Sequence, residues 1–93
     1  MATFLMLGRY SMVGIHGASA GRTKKVVAMM ERCGGKVKSI YALLGGYDLA
    51  IVAEFPGVRE AVKASFTASK ATGISFSSLP AMPVAEFDKL IGR

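Results

Sequence analysis

Two apolar runs flank the pair Gly45-Gly46, and this arrangement constrains the fold more than any other feature of the sequence. Each run has the length and the β-branched and aromatic content of a β-strand. Glycine adopts the positive φ angles that a tight hairpin turn requires at both central positions. The sequence therefore predicts a β-hairpin with strands at residues 36–44 and 47–55. Leu44 is expected opposite Tyr47, which fixes the register and hence the face of each side chain.

The predicted register gives the hairpin two faces that are both too apolar for open solvent. The first face is nearly all apolar and carries Lys38, Ile40, Ala42, Leu49, Ile51, Ala53 and Phe55. The second face is mixed and carries Val37, Ser39, Tyr41, Leu43, Asp48, Ala50, Val52 and Glu54. Because alternate residues of a strand point to opposite faces, helices on one side leave the other side uncovered.

Glycine and proline residues divide the rest of the chain into segments of helical and strand periodicity. The predicted elements are a strand at 3–12, a helix at 20–33 that ends at Gly34-Gly35, a helix at 58–70, a strand at 74–82 and a short helix at 83–91. The order β-α-β-β-α-β is the split βαβ pattern of an α+β, ferredoxin-like fold. Right-handed crossovers place the first and third strands at the centre of a four-stranded antiparallel sheet, with both longer helices on one face.

Two of these elements carry more specific predictions. The helix at 58–70 has apolar and small residues at helical spacing, which predicts a buried face made of Val58, Ala61, Val62, Ser65 and Phe66. Pro80 cannot donate a backbone hydrogen bond, so the last strand is expected at an edge of the sheet.

The chain is short and unusually apolar. Its 93 residues predict a single domain over 1–93, and 52% of them are hydrophobic whereas 19% are charged. This is more apolar material than a small monomer easily buries. We therefore expect the uncovered sheet face to pack against a second subunit. The alternative is that the short C-terminal helix covers that face.

The net charge of +6 is concentrated in residues 1–47, where Glu31 is the only acidic residue. Such asymmetry is compatible with a surface that binds anions or nucleic acid. The basic residues lack interleaved aromatic residues, so a solvated helix face is the favoured interpretation and nucleic acid is not the expected partner. The N-terminus does not read as a signal peptide, and no segment reads as a membrane helix. The single cysteine, Cys33, allows no intrachain disulfide and suits a reducing cytoplasm.

The segment Gly45-Gly46-Tyr47-Asp48 resembles the signature of the GYD-domain family, which is named for its Gly-Tyr-Asp motif. Further segments of similar sequence are Leu7-Gly8-Arg9-Tyr10, Cys33-Gly34-Gly35-Lys36-Val37 and the hairpin with its following strand up to Pro56. The resemblance implies a ferredoxin-like domain of the dimeric α/β-barrel type, without a common reaction. Related barrels include cofactor-free monooxygenases, small-molecule-binding regulators and isomerases. The segment Gly14–Lys25 is rich in glycine, serine and basic residues, and in this it departs from the family pattern.

Arg9 and Asp48 form the centre of the predicted functional site. Arg9 ends the first strand and Asp48 begins the third, so antiparallel pairing is expected to bring them together as an ion pair. One interpretation is a charged anchor that orients a small polar ligand together with Tyr41 and Tyr47. The alternative is an ion pair that only fixes the strand ends.

His16 is the only histidine and is predicted at the rim of this site, as a base or ligand group or simply as a solvated side chain. No second histidine, cysteine or carboxylate stands at metal-ligand spacing, so neither a metal nor a cofactor is expected. The segment Gly17–Thr23 differs from a phosphate loop in spacing and has Arg in place of Lys, which excludes nucleotide hydrolysis. Anion binding at the following helix N-terminus and a flexible loop both remain open.

The predicted function is therefore that of a cytoplasmic homodimer or higher homo-oligomer that binds a small organic molecule. The alternative is a cofactor-independent enzyme of the monooxygenase or isomerase kind, in which Asp48, His16 or a tyrosine moves a proton. A third hypothesis is nucleic-acid or anion binding through the basic first half.

Overall fold

The computed structural model describes residues 1–11 and 20–92, and their elements follow the predicted order. They are β1 (Ala2–Tyr10), α1 (Ala20–Arg32), β2 (Lys36–Ala42), β3 (Leu49–Phe55), α2 (Val58–Thr72), β4 (Ile74–Ala81) and α3 (Val84–Ile91). The strands form one antiparallel sheet of order β2-β3-β1-β4, in which β1 and β3 are central. The predicted α+β, ferredoxin-like fold is therefore confirmed, as is the edge position of β4 with its Pro80.

The hydrophobic core lies between α1, α2 and one face of the sheet. Its largest fully buried side chains are Met6, Met30, Ile51, Phe55 and Ile74. The rings of Phe4 and Phe55 pack edge to face with centroids 6.0 Å apart. Each large side chain buried in this way contributes about 1.5–3 kcal/mol to folding. Cys33, just past the end of α1, is half-buried against this core.

The hairpin keeps the predicted register but not the predicted tight turn. Ile40 pairs with Ile51 and Ala42 pairs with Leu49. The strands stop there, and residues 43–48 form a longer loop than a two-residue turn. Within Gly45-Gly46 only Gly45 has a positive φ, of 132°, whereas a tight turn of the predicted kind requires two positive φ angles. The loop is closed by the backbone of Leu43, whose N–H donates to the carbonyl of Asp48 at 2.9 Å.

A β-bulge in β2 corrects the predicted faces of its first residues. The register shifts between Val37 and Ser39, so that Val37 pairs with Ala53. Ala53 is fully buried, and Val37 packs against the core. The extra residue, Lys38, is exposed instead of pointing to the helix-covered face. The bulge thus moves a charged side chain out of the core and brings an apolar one in.

Gly34-Gly35 ends α1 as predicted. Gly34 has a φ of 88°, and its N–H donates to the carbonyl of Glu31, while that of Gly35 donates to the carbonyl of Met30, both at 3.0 Å. This pairing satisfies carbonyl groups at the helix end. Gly35 also lies against the ring of Phe55, where a Cβ atom would collide with three ring carbons.

The buried face of α2 differs from the predicted one. Its buried residues are small, namely Ala61, Ala64, Ala68 and Thr72. Val58, Val62 and Phe66 are instead 61%, 59% and 67% exposed. Alanine side chains let the helix axis come close to the sheet and to α1, and this close approach determines which of two apolar stripes is buried. Only Ala61 of the predicted face is fully buried, while Ser65 is half-buried.

α3 does not cover the sheet face opposite the two longer helices. It contributes no buried residue, and its apolar side chains remain exposed. The sheet face opposite α1 and α2, called the open face here, carries an apolar centre of Leu5, Leu7, Tyr41, Ala50, Val52 and Leu79. Among the described residues, no helix has both the length and the hydropathy needed to cross a membrane.

Candidate functional site

A cleft of about 170 Å³ opens at one end of β1 and β4. It is lined by Arg9, Tyr47, Ser75, Phe76 and Ser77, and is called the Arg9 cleft here. Arg9 pairs with Ser75, and Leu7 pairs with Ser77, in the antiparallel ladder between β1 and β4. Because alternate residues share a face, Arg9 and both serines point to the open face. The cleft therefore combines one cationic group, two hydroxyl groups and the ring of Tyr47 at the rim of that face, whereas the side chain of Phe76 points to the helix side.

The loop between β2 and β3 holds the guanidinium of Arg9 in place. The Nε–H of Arg9 donates to the carbonyl of Gly46 at 3.1 Å. The guanidinium carbon lies 5.1 Å from the centre of the Tyr47 ring, a distance at which a cation and an aromatic face attract each other. Two residues of the Gly-Gly-Tyr-Asp segment thus orient Arg9, although residues 43–48 are not a tight turn.

The predicted ion pair between Arg9 and Asp48 is wrong. Oδ2 of Asp48 instead accepts the backbone N–H of Tyr10 at 2.8 Å. The ladder between β1 and β3 ends at the pair Gly8 and Leu49, so the N–H of Tyr10 has no backbone partner in β3. The carboxylate takes this place in the plane of the sheet, while Arg9 points out of that plane. Within residues 1–11 and 20–92, Arg9 is therefore left without an ion pair.

Gly8 allows the side chains of Ile74 and Phe76 to pack closely against β1 on the helix side of the sheet, behind the Arg9 cleft. A Cβ atom on Gly8 would lie 2.9 Å from Cγ2 of Ile74 and 3.1 Å from Cε1 of Phe76. Both distances are shorter than ordinary van der Waals contacts, so a side chain here would push both residues away. The carbonyl of Gly8 also accepts the N–H of Asp48 at 2.8 Å, which ties the loop to β1.

The other predicted site residues do not join this group. Tyr41 lies on the open face, paired with Ala50, but on β2, two strands from β1 and therefore about 10 Å away. His16 falls within residues 12–19, outside the described residues, so its predicted place at the rim stays a prediction. Ser75 and Ser77 are not among the site residues predicted from the sequence. Their alternation along an edge strand beside β1 was the signal that places them next to Arg9.

A second cavity lies in the core beside Tyr10 and the first turns of α1. Its volume is about 20 Å³, enough for about one water molecule. The guanidinium carbon of Arg22 lies 4.8 Å from the centre of the Tyr10 ring at this cavity. Across the described ranges, no three His, Cys, Asp or Glu side chains gather in a metal-binding group.

The fold and the cleft define a small ferredoxin-like α+β protein in which no described helix covers the open face. The GYD domain model matches residues 4–91, and the chain belongs to this family. Its structure is similar to the crystal structure of the leucine response regulatory protein LrpA of Mycobacterium tuberculosis, with a TM-score of 0.59 and 10% sequence identity. The similarity covers 88% of this chain and 51% of LrpA, so the chain corresponds to about half of that protein's length. At this identity the similarity concerns the fold alone. No curated protein matches the sequence.

Proposed function

We propose that this GYD-family protein is a cytoplasmic homodimer that pairs through its open face and binds a small organic acid in the Arg9 cleft. The observation that carries the ligand class is Arg9 itself, a fixed guanidinium without an ion pair in the described part of the chain. Small organic molecules were predicted from the sequence, and we narrow this proposed class to molecules with a carboxylate because a carboxylate complements the guanidinium. The unpaired Cys33 is consistent with a reducing compartment.

The donors of the Arg9 cleft suit a carboxylate. A guanidinium carries five N–H donors in a planar fork, and the carbonyl of Gly46 accepts only the one on Nε. The N–H groups of the two terminal nitrogens can therefore donate hydrogen bonds to both oxygens of a carboxylate. The exposed hydroxyls of Ser75 and Ser77 supply further donors, while the ring of Tyr47 offers apolar surface to the rest of the ligand.

The open face supports pairing with a second copy. Its centre is apolar, whereas polar and charged residues surround that centre: Thr3, Arg9, Lys36, Ser39, Glu54, Ser75 and Ser77. An apolar centre with a polar rim is the usual anatomy of a protein interface. The Arg9 cleft belongs to the rim, so a ligand there would lie at the edge of the subunit contact.

Thermal unfolding with a set of small carboxylates tests the ligand class. The set is acetate, succinate, benzoate and leucine, the last because the similar LrpA is named a leucine response regulatory protein. We expect at least one of these acids to raise the Tm. At ten times its Kd, a ligand stabilises the folded chain by about 1.4 kcal/mol. For a chain of this size that is about 6–11 °C. The uncharged analogue of the active acid, for example benzamide for benzoate, should give a much smaller shift.

Substitution of arginines separates specific binding from a general charge effect. Arg9→Gln should abolish the shift, because it removes the guanidinium fork. Arg59→Gln, at an exposed position of α2, makes the same change in net charge and should leave the shift intact. Equal shifts in both variants, or no shift with any acid of the set, would contradict a carboxylate site at Arg9.

A further inference from the structure

Within residues 1–11 and 20–92, two exposed apolar stripes lie outside the open face, and the first is on α2. Val58, Val62 and Phe66 repeat at every fourth residue and are each about 60% exposed or more. A groove of about 310 Å³ runs beside this stripe, between α2 and β4. It is lined by Val62, Ser65, Phe66, Ser69, Phe76 and Ser78. This groove and stripe are called the α2 groove here.

The second stripe lies on α3. Val84, Phe87, Leu90 and Ile91 occupy one side of this helix and are between 46% and 73% exposed. The helix has no buried residue. A helix as short as Val84–Ile91 is not stable alone in water, so most of its stability must come from packing of its apolar side. Within the described residues, these four side chains stay at least 46% exposed, so most of that packing is missing.

The two stripes match in length and in charge. From Val58 to Phe66, and along Val84–Ile91, a helix rises about 12 Å. Basic residues border the α2 stripe on its outer side, namely Arg59, Lys63 and Lys70, and Nζ of Lys70 lies 5.8 Å from the centre of the Phe66 ring. At helical spacing, Glu86 and Asp88 border the apolar side of α3, whereas Lys89 falls on the opposite side. Apolar surface would therefore meet apolar surface, with opposite charges beside it.

The connection to α3 favours a second copy as the partner. β4 ends at Ala81, which pairs with Thr3 at the end of the sheet where α2 begins. Only Met82 and Pro83 separate β4 from α3, and a return to its own α2 would require the chain to reverse within them. The molecule is elongated and measures 49 × 29 × 18 Å. Its radius of gyration is 13.8 Å, whereas about 12 Å is usual for a chain of this length.

We infer that α3 of one copy docks into the α2 groove of a second copy. The α2 groove lies on the helix side of the sheet, so this contact does not compete with pairing through the open face. It also does not depend on the Arg9 cleft, and a failure of carboxylate binding leaves it unaffected.

Cysteine cross-linking between two different variants tests this contact in the full-length chain. In a Cys33→Ser background, one variant carries Val62→Cys and the other carries Leu90→Cys, both at exposed positions. The two are mixed, oxidised under mild conditions and analysed by mass spectrometry. We expect a disulfide-linked pair that contains one chain of each kind. The matched control replaces Leu90→Cys by Lys89→Cys on the polar side of α3 and should give a several-fold lower yield.

Charge reversal provides a second readout. Glu86→Lys together with Asp88→Lys should lower the yield of the Val62–Leu90 cross-link several-fold. Lys63→Glu with Lys70→Glu in the partner variant should restore it. Circular dichroism of each variant confirms that it is folded. Equal yields for Leu90→Cys and Lys89→Cys would overturn the inference. So would a disulfide formed within a single chain that carries both Val62→Cys and Leu90→Cys, or a failure of the reversed charges to restore the yield.

Discussion

Three single glycine-to-alanine substitutions separate steric collision from backbone strain. A Cβ atom on Gly35 would lie 2.8 Å from Cδ1 and from Cζ of Phe55, a fully buried ring that itself packs on Phe4. The ring cannot move without disturbing the core, so Gly35→Ala should destabilise by about 3 kcal/mol, the upper end of the usual range for overpacking. For a chain of this size, the Tm should fall by more than about 10 °C.

The other two glycines are matched controls in the loop of residues 43–48. No atom lies within 4 Å of a Cβ built on Gly45 or on Gly46. Gly45 has a φ of 132°, where a side chain is strained, so Gly45→Ala should cost about 1–2 kcal/mol. Gly46 has no such φ, and Gly46→Ala should leave stability unchanged or raise it by about 0.4–1 kcal/mol through the unfolded chain.

Urea unfolding at one fixed protein concentration measures all three variants and the parent chain. A fixed concentration is needed because association shifts the apparent stability. The expected order of stability is Gly46→Ala, then Gly45→Ala, then Gly35→Ala. If Gly35→Ala proved as stable as Gly46→Ala, the close approach of α1's end to Phe55 would not exist in solution.

Two further substitutions test the site and the assembly. Asp48→Ala removes the acceptor of the Tyr10 N–H and should lower the free energy of unfolding in urea by about 1.5–3 kcal/mol. Asp48→Asn keeps an acceptor and should lower it by less than half as much. Equal losses of stability in the two variants would contradict this role of Asp48. Leu7→Glu places a charge in the centre of the open face and should lower the mass measured by sedimentation at micromolar concentration. Ala28→Glu, on the exposed side of α1, should leave this mass unchanged. A mass of one subunit for the parent chain would exclude the proposed dimer.

The strand order and the hairpin register could be predicted because local signals and chain topology agree there. Gly45-Gly46 marks the reversal between two apolar runs, and pairing Leu44 with Tyr47 implies the same register as the observed pair of Ala42 and Leu49. Gly34 and Gly73, both with positive φ, stand just past the ends of the two longer helices, a position where glycine is common. These features depend on one or two residues each, so a single sequence suffices to find them.

The features that the sequence did not reveal depend on competition between partners. Asp48 could pair with Arg9 or accept the N–H of Tyr10, and the end of the β1–β3 ladder decides in favour of the backbone. In α2, the alanine stripe and the Val58–Val62–Phe66 stripe have the same helical spacing. Hydrophobicity favours the larger residues, but close packing favours the smaller ones. Neither outcome can be derived without the three-dimensional arrangement.

The exposed surfaces explain why the chain contains so many hydrophobic residues. A chain that is 52% hydrophobic could have used this material in a larger core, yet α2 buries alanines while its valines and Phe66 stay exposed. The apolar excess lies on the open face, on the α2 groove and on α3, and each of these surfaces has charged residues beside it. Scattered exposed apolar residues need no explanation, but continuous stripes with charged borders are typical of interfaces. Selection for solubility alone would replace such stripes with polar residues, so their presence supports assembly with further copies of the chain.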